Sequence, residues 1–319
     1  METELLQLVT PDTAGDPMGK RKWVRSSLRK LSQRLAQAGH AVSAPTVSRL
    51  LKKHDYALRV NAKEKEGRSQ HPDRDTQFRY IEAQQQAFAA AGCPIISVDT
   101  KKKELIGDFK NAGQAWCQHP EEVNVHDFLT DALGRAAPYG IFDPQRNEGA
   151  VYVGTSADTA EFAVTAIAHW WADRGRLLYP KARDLLILAD AGGSNGCRPR
   201  LWKAQLQSQL SDRLGLSVTV CHYPTGCSKW NPIEHRLFSQ ISLNGAGKPL
   251  RTLETMLGYI RDTTTTTGLR VTGSLLEGVY QTGKRVANAV MKTLHMEPHV
   301  VCPQWNYTIR PRADSALAP

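Results

Sequence analysis

Residues 184–196, DLLILADAGGSNG, decide the fold. Leu185 to Ala189 make a short, bounded apolar run closed by an acid, Asp190, which reads as a buried strand. The Gly-rich turn Ala191 to Gly196 leads into a helical stretch from about Arg198 to Leu214, and Ser217 to Tyr223 supplies another strand. Working back, CPIISVDT from Cys93 is a second short apolar run closed by an acid, Asp99. Between the two lie candidate strands at Glu104 to Lys110, Pro138 to Phe142 and Ala150 to Val153, and a turn-rich excursion over 111–148. Thr155 to Arg174 follows as a helix, with Phe162, Ala163, Ala166, Ile167, Trp170 and Trp171 at helical spacing, a stripe that reads as core. Antiparallel strands first and α/β alternation afterwards predict a mixed sheet with helices on its faces.

In such sheets the carboxyl ends of the strands converge on the site. Asp99 and Asp190 each close a buried run, which places their charges at the rim. A third acid follows in Cys221 to Gln240, CHYPTGCSKWNPIEHRLFSQ: a β-run to Tyr223, a Pro/Gly loop, then a helix carrying Glu234 in its second turn. A helical glutamate is ordinarily a solvated surface residue. If the two strands are neighbours, however, Asp99, Asp190 and Glu234 meet, and three carboxylates that close repel one another unless cations sit between them. All-oxygen, acid-rich sites suit the hard ions Mg²⁺ or Mn²⁺.

Composition narrows the partners. The chain has 319 residues, 41% hydrophobic and 23% charged, the make-up of an ordinary globular protein with room for a large and a small domain. No apolar run reaches the length of a membrane span and the acidic start METELLQL is unlike a signal peptide, so a cytoplasmic, nucleoid-associated protein is expected, with no membrane partner. The six cysteines form no C-x-x-C pair and read as free thiols. The formal net charge of +10 is localised. Between Met18 and Val60 stand eleven Lys or Arg and one acid, Asp55, an excess equal to that of the whole chain. Such a concentration is the footprint of a polyanion binder, and nucleic acid is the expected partner.

The same segment has helix-turn-helix grammar. Ser26 and Ser27 can cap a helix with Leu28, Leu31, Leu35 and Ala38 inward and Gly39 at its stop. After a four-residue break, Ser43 can cap a second helix, with Pro45 in its first turn and Val47, Leu50 and Leu51 inward. Thr46, Ser48, Arg49, Lys52 and Lys53 then face outward, toward a major groove and its phosphates. With Arg21 and Lys22 these make the expected DNA-binding set of the first module, taken as residues 1–60. Residues 57–75 read as a polar linker into a helix from about Thr76 to Ala91, so that 61–92 connects to a catalytic domain over 93–319.

Two other motifs compete for the site. Gly192 to Gly196 matches G-x-S-x-G between strand and helix, which would make Ser194 a hydrolase nucleophile with His295 or His299 downstream. That reading leaves Asp99 and Glu234 idle, has no oxyanion loop and gives the basic module no task. Cys221, His222, Cys227 and His235 fit no zinc-finger spacing, and the first two, adjacent on a strand, point to opposite faces.

The segments CPIISVDTKKKELIGDFKNAG, EEVNVHDF, PYGIFD, RNEG, DLLILADAGGSNGCRPRLWK, TVCHYPTGCSKWNPIEHRLFSQIS and WNYTIRPR together resemble the ISAzo-like group of bacterial insertion-sequence transposases, from about Val9 to Arg312. The NPIE core, Asn231 to Glu234, is similar to that of the wider mariner-like superfamily. The resemblance implies a DDE-class enzyme with a ribonuclease-H-like α/β fold behind a small all-α helix-turn-helix module. It places the catalytic, metal-binding triad on Asp99, Asp190 and Glu234. It also implies two Mg²⁺ ions, with Mn²⁺ as substitute, and DNA cleavage and strand transfer at terminal inverted repeats and target DNA by a homodimer or larger assembly. Lys101, Lys102, Lys103, Lys229, His235 and Arg236 stand near enough in sequence to that triad to contact phosphates. Members of the group carry a further helix-turn-helix region ahead of the segment matching Leu8 to Met18, so a shortened copy is expected here. A DNA-binding remnant without catalysis is the rival reading.

Overall fold

The computed structural model describes residues 1–9, 13–15, 22–24, 26–56, 71–114 and 117–313. The chain divides into two units, Met1–Glu64 and Lys65–Pro319. Arg21 and most of the charged linker, 57–70, lie outside the described residues.

The first unit holds α1 (Glu2–Val9), a two-stranded antiparallel ribbon β1 (Thr13–Gly15) and β2 (Lys22–Val24), α2 (Leu28–Gln37) and α3 (Ala44–Lys53). Ser27 caps α2, its hydroxyl accepting from the Lys30 N–H at 3.2 Å, and Ser43 caps α3 by accepting from Thr46 at 3.4 Å. Gly39, with φ +86°, ends α2 as the sequence predicts. The break between the helices runs over 38–43, longer than the four residues expected, because the chain must pass through that left-handed turn before Ser43 can cap. Leu5, Val9, Leu31, Leu35, Val47 and Leu51 close a small core. The ribbon β1–β2 carries no sequence signal strong enough to have been expected.

The second unit opens with α4 (Arg74–Ala90) and runs β3 (Ile95–Thr100), β4 (Glu104–Ile106), β5 (Gly134–Asp143) and β6 (Glu148–Gly154). Next comes α5 (Ala160–Trp170), which continues through a π turn into α6 (Arg176–Leu178). After β7 (Asp184–Asp190), α7 (Arg200–Gln205) widens into a π turn and β8 (Ser217–Tyr223) follows. Helical turns over 232–244 include α8 (Ser239–Asn244); then come α9 (Leu253–Arg261), β9 (Arg270–Leu275), α10 (Asn288–Lys292), β10 (Met296–Pro298) and β11 (Asn306–Ile309).

These strands form one mixed sheet in the order β10-β11-β8-β7-β3-β5-β6-β9, with β4 added to β5. Its centre, β6-β5-β3-β7-β8, has β3 antiparallel to β5 and parallel to β7, the mixed arrangement that the sequence predicts. The side-chain period of two divides the strands cleanly. Ile96, Val98, Leu185, Ile187, Val218 and Val220 face α5 and α7. Ile95, Leu186, Leu188 and Cys221 face Ile81 of α4, while Phe142, Val151 and Val153 on that same side meet Ile233, Leu237 and Phe238. By the same alternation, Asp99 and Asp190 both point to the side on which the helix of Glu234 lies.

Candidate metal centre

Asp99 and Asp190 stand at the same ends of neighbouring parallel strands. Val98 is in register with Ala189, so the next residues along are the two acids. On its other side Asp99 is paired with Gly140 of β5. A Cβ at Gly140 would collide with the Phe238 ring and lie 2.9 Å from Ile233 Cδ1, and one at Gly149 would collide with Leu237. The two missing side chains let the helix of Glu234 lie directly on the sheet. Glu234 begins a π turn, Glu234–Phe238, in the first turn of its helix rather than the second, because the helix starts only at Pro232.

Asn231 ties these parts together. It is fully buried, and its Nδ2 donates to Asp190 Oδ1 at 3.0 Å and to the Val98 carbonyl at 3.3 Å. Its Oδ1 accepts from the buried Ser97 hydroxyl, and Ser97 Oγ accepts from the Ile233 N–H at 3.1 Å. The Asp99 carboxylate takes the Thr100 N–H at 2.7 Å. Beneath Asp190, His222 donates from Nδ1 to the Asp190 carbonyl at 3.0 Å and accepts at Nε2 from Tyr307 Oη at 3.2 Å, which in turn accepts from Trp202 Nε1 at 2.9 Å. Burial pushes His222 down to about 4, so the ring stays neutral and this tautomer holds.

The electrostatics are those of crowded carboxylates. Burial pushes Asp99 up to about 8, with the charge of Asp190 and a hydrogen bond and charge from Glu234 adding to it. Burial also raises Asp190, to about 6, against the Asn231 bond and with the charge of Glu234. Among the described residues no group of three or more His, Cys, Asp or Glu closes tightly enough to hold an ion as it stands, so the three acids form an open set. Their donor chemistry fits a hard divalent cation: oxygen ligands only, partly desolvated and mutually repelling. Asp99, Asp190 and Glu234 are therefore the residues that could hold a metal.

The cationic candidates are differently placed. A cavity of about 500 Å³ adjoins Glu234 and is lined by Lys101, Lys102 and Lys110. A larger one, about 620 Å³, lies against the loops near Cys117 and Lys248 and reaches none of the three acids. Lys101 is engaged by Glu104 at 2.6 Å, whereas Lys102 and Lys103 are exposed. Lys229 is stacked 5.5 Å from the Trp230 ring, and His235 is bonded to the Lys229 carbonyl. Arg236 lies 4.9 Å over the Phe142 ring and donates to Asn147. In the first unit Arg49 and Lys52 are exposed, and Lys53 is held by Glu2 at 2.8 Å. Lys22 lies on β2.

Among the described residues the Ser194 hydroxyl has one hydrogen-bond partner, Thr100, 3.4 Å away, and no histidine is bonded to it. His295 Nδ1 is bonded to the Pro311 carbonyl, and His299 is held by Tyr80 and Thr308. Cys221 is buried on one face of β8 and His222 on the other, as their adjacency predicts, and none of the six cysteines is in a disulfide. Ser97 and the role of Asn231 were missed in the sequence. A serine two residues before Asp99, at an inward position of an apolar run, was the available signal.

The model of the Rhodopirellula transposase DDE domain family matches residues 4–311. The chain belongs to that family. No curated protein matches the sequence. Solved structures similar to this transposase chain include the Mos1 transposase paired-end complex with left transposon end, at 13% identity, 81% of this chain, 69% of the other and a TM-score of 0.43. They also include a pre-cleavage Mos1 transpososome, at 13% identity, the same coverages and a TM-score of 0.42. A third is the Mos1 mariner paired end complex with Mn, at 14%, 81%, 69% and 0.41. No helix among the described residues of the transposase chain is long and apolar enough to cross a membrane.

Proposed function

We propose that this chain cuts DNA at the ends of an insertion sequence and joins the freed strand to a target, with Asp99, Asp190 and Glu234 holding two Mg²⁺ ions, or Mn²⁺ in their place. The observation that carries the reading is the meeting of three buried or half-buried carboxylates from three elements at one sheet end, with burial and mutual charge raising Asp99 and Asp190. When bound, such ions would supply Lewis-acid polarisation of the scissile phosphate and offset the charge that builds on its oxygens. The chain's own part is to fix the carboxylates. Ser97 and Asn231 hold Asp190 and the start of the Glu234 helix, and the Thr100 N–H orients Asp99. Exposed Lys102 and Lys110 beside Glu234 offer charge for the phosphates flanking the cut. The basic first unit would hold the duplex through phosphate contacts, and the joining of two ends calls for at least two copies on DNA.

The test is nicking of DNA that bears the element's terminal repeats. Mg²⁺ or Mn²⁺ should be required, and Asp99→Ala, Asp190→Ala and Glu234→Ala should each abolish the cut. Full activity in any one of them would remove that acid from the site. DNA binding without a nick in either metal would favour the non-catalytic remnant.

A further inference from the structure

Asn231 and Ser97 are fully buried polar side chains that the three acids alone do not account for. Their bonding leaves no choice of roles. Nδ2 of Asn231 faces two acceptors, Asp190 Oδ1 and the Val98 carbonyl, which fixes the orientation of the amide. Ser97 Oγ already accepts from the Ile233 N–H, so its proton goes to Asn231 Oδ1. One amide thus joins β3 two residues before Asp99, β7 at Asp190, and the residue that precedes Glu234.

We propose that Asn231, acting with Ser97, is a positioning residue that sets Asp190 and Glu234 for the divalent cation; this rests on reading those acids as ligands. Asn231 occupies Oδ1 of Asp190 and leaves Oδ2 with no protein partner among the described residues. Through Ser97 it also fixes the backbone N–H of Ile233, and its own carbonyl accepts from the Glu234 N–H at 3.1 Å. Only a neutral amide serves. A carboxylate at 231 would have no proton to give Asp190 and would add a fourth negative charge at hydrogen-bond distance.

The test is Asn231→Asp, nearly unchanged in shape, with Mn²⁺ titrated against the folded protein and read by electron paramagnetic resonance. Loss of a group that orients a ligand ordinarily weakens metal binding about 10–100-fold, and that is the expected rise in the Mn²⁺ dissociation constant. The half-saturating Mn²⁺ for nicking should rise by the same factor, with a much smaller fall in maximal rate. Tyr179→Phe is the control, removing a buried hydroxyl that donates to the buried Asp143 at 2.7 Å, at the end of β5 away from Asp99. It should lower the melting temperature and leave Mn²⁺ affinity alone. If Asn231→Asp does not fold, Ser97→Ala, which keeps the bond to Asp190 but frees Ile233, should weaken Mn²⁺ binding in the same sense. Unchanged affinity in a folded variant, or an equal loss in Tyr179→Phe, overturns the proposal. A wild-type chain that binds no Mn²⁺ overturns instead the reading of the three acids.

Discussion

Replacing Asp190 by asparagine should strengthen the metal-free fold at neutral pH, because the native carboxylate is held where it resists ionising. Its ordinary value of 3.8 is raised to about 6 in the folded chain, by burial first and by the charge of Glu234. Between those values the folded state keeps a proton that the unfolded state has released. Stability is therefore whole below about pH 4 and falls as pH rises to about 6. A rise of about two pH units, at about 1.4 kcal/mol for each, makes about 3 kcal/mol. At about 2–4 °C per kcal/mol for a domain of this size, the fall in Tm is roughly 6–12 °C. Asparagine can still accept the Asn231 bond and cannot ionise. The variant should match the wild type near pH 4 and melt roughly 6–12 °C higher above pH 6.5, the same conversion applying. Mn²⁺ should then reverse the difference, since at a hundred times its dissociation constant it adds about 2.7 kcal/mol to a protein with the site and little to one without. The assay is thermal melting from pH 4 to 8, with chelator and with Mn²⁺. Parallel pH curves for the two proteins, or an equal gain from Mn²⁺, would refute the reasoning.

Three further outcomes are expected. Gly140→Ala drives a methyl group into Phe238 and Ile233; overpacking of this kind should cost about 1–3 kcal/mol in melting or urea titration, and lifting the helix should weaken Mn²⁺ binding as well. Ser194→Ala should nick DNA at the wild-type rate, because its hydroxyl meets only Thr100 among the described residues; loss of activity would revive the nucleophile reading. Lys52→Glu should flatten the dependence of DNA affinity on salt by about one unit of slope or more, measured by fluorescence anisotropy. Lys53→Glu should do less, since Glu2 already engages that side chain.

The centre of the sheet was legible because both faces of β3 and β7 are covered, which writes each as a short, largely apolar run closed by an acid. Asp99 and Asp190 were readable for the same reason: a charge at the end of such a run can only sit at the rim. Their facing Glu234 was not readable, because it depends on the register of β3 against β7 and on the close approach that Gly140 and Gly149 permit. Ser97 and Asn231 stand 134 positions apart and meet only in the fold. The strands β9, β10 and β11 were not anticipated at all. β10 and β11 are short and β9 is largely exposed, so none of the three carries the alternation that marks a strand locally; pairing of β9 with β6, of β11 with β8 and of β10 with β11 makes them strands. The π turns at 206–212 and 234–238 likewise follow from packing on the sheet rather than from propensity.

The placement of β11 has a consequence in time. Residues 306–309 lie beside β8, which ends at Tyr223, so a neighbour of that strand arrives some eighty positions later in synthesis. Until then β8 has an open edge, and Tyr307 is missing from the chain of bonds that runs through His222 to the Asp190 carbonyl. A chain halted near Thr293 should therefore bind Mn²⁺ poorly and be cut by protease within β8, which limited digestion would reveal. A nascent polypeptide would thus carry its acids without the support beneath one of them. On the proposed function, a centre whose support is complete only once Tyr307 is in place is one that unfinished copies would not possess.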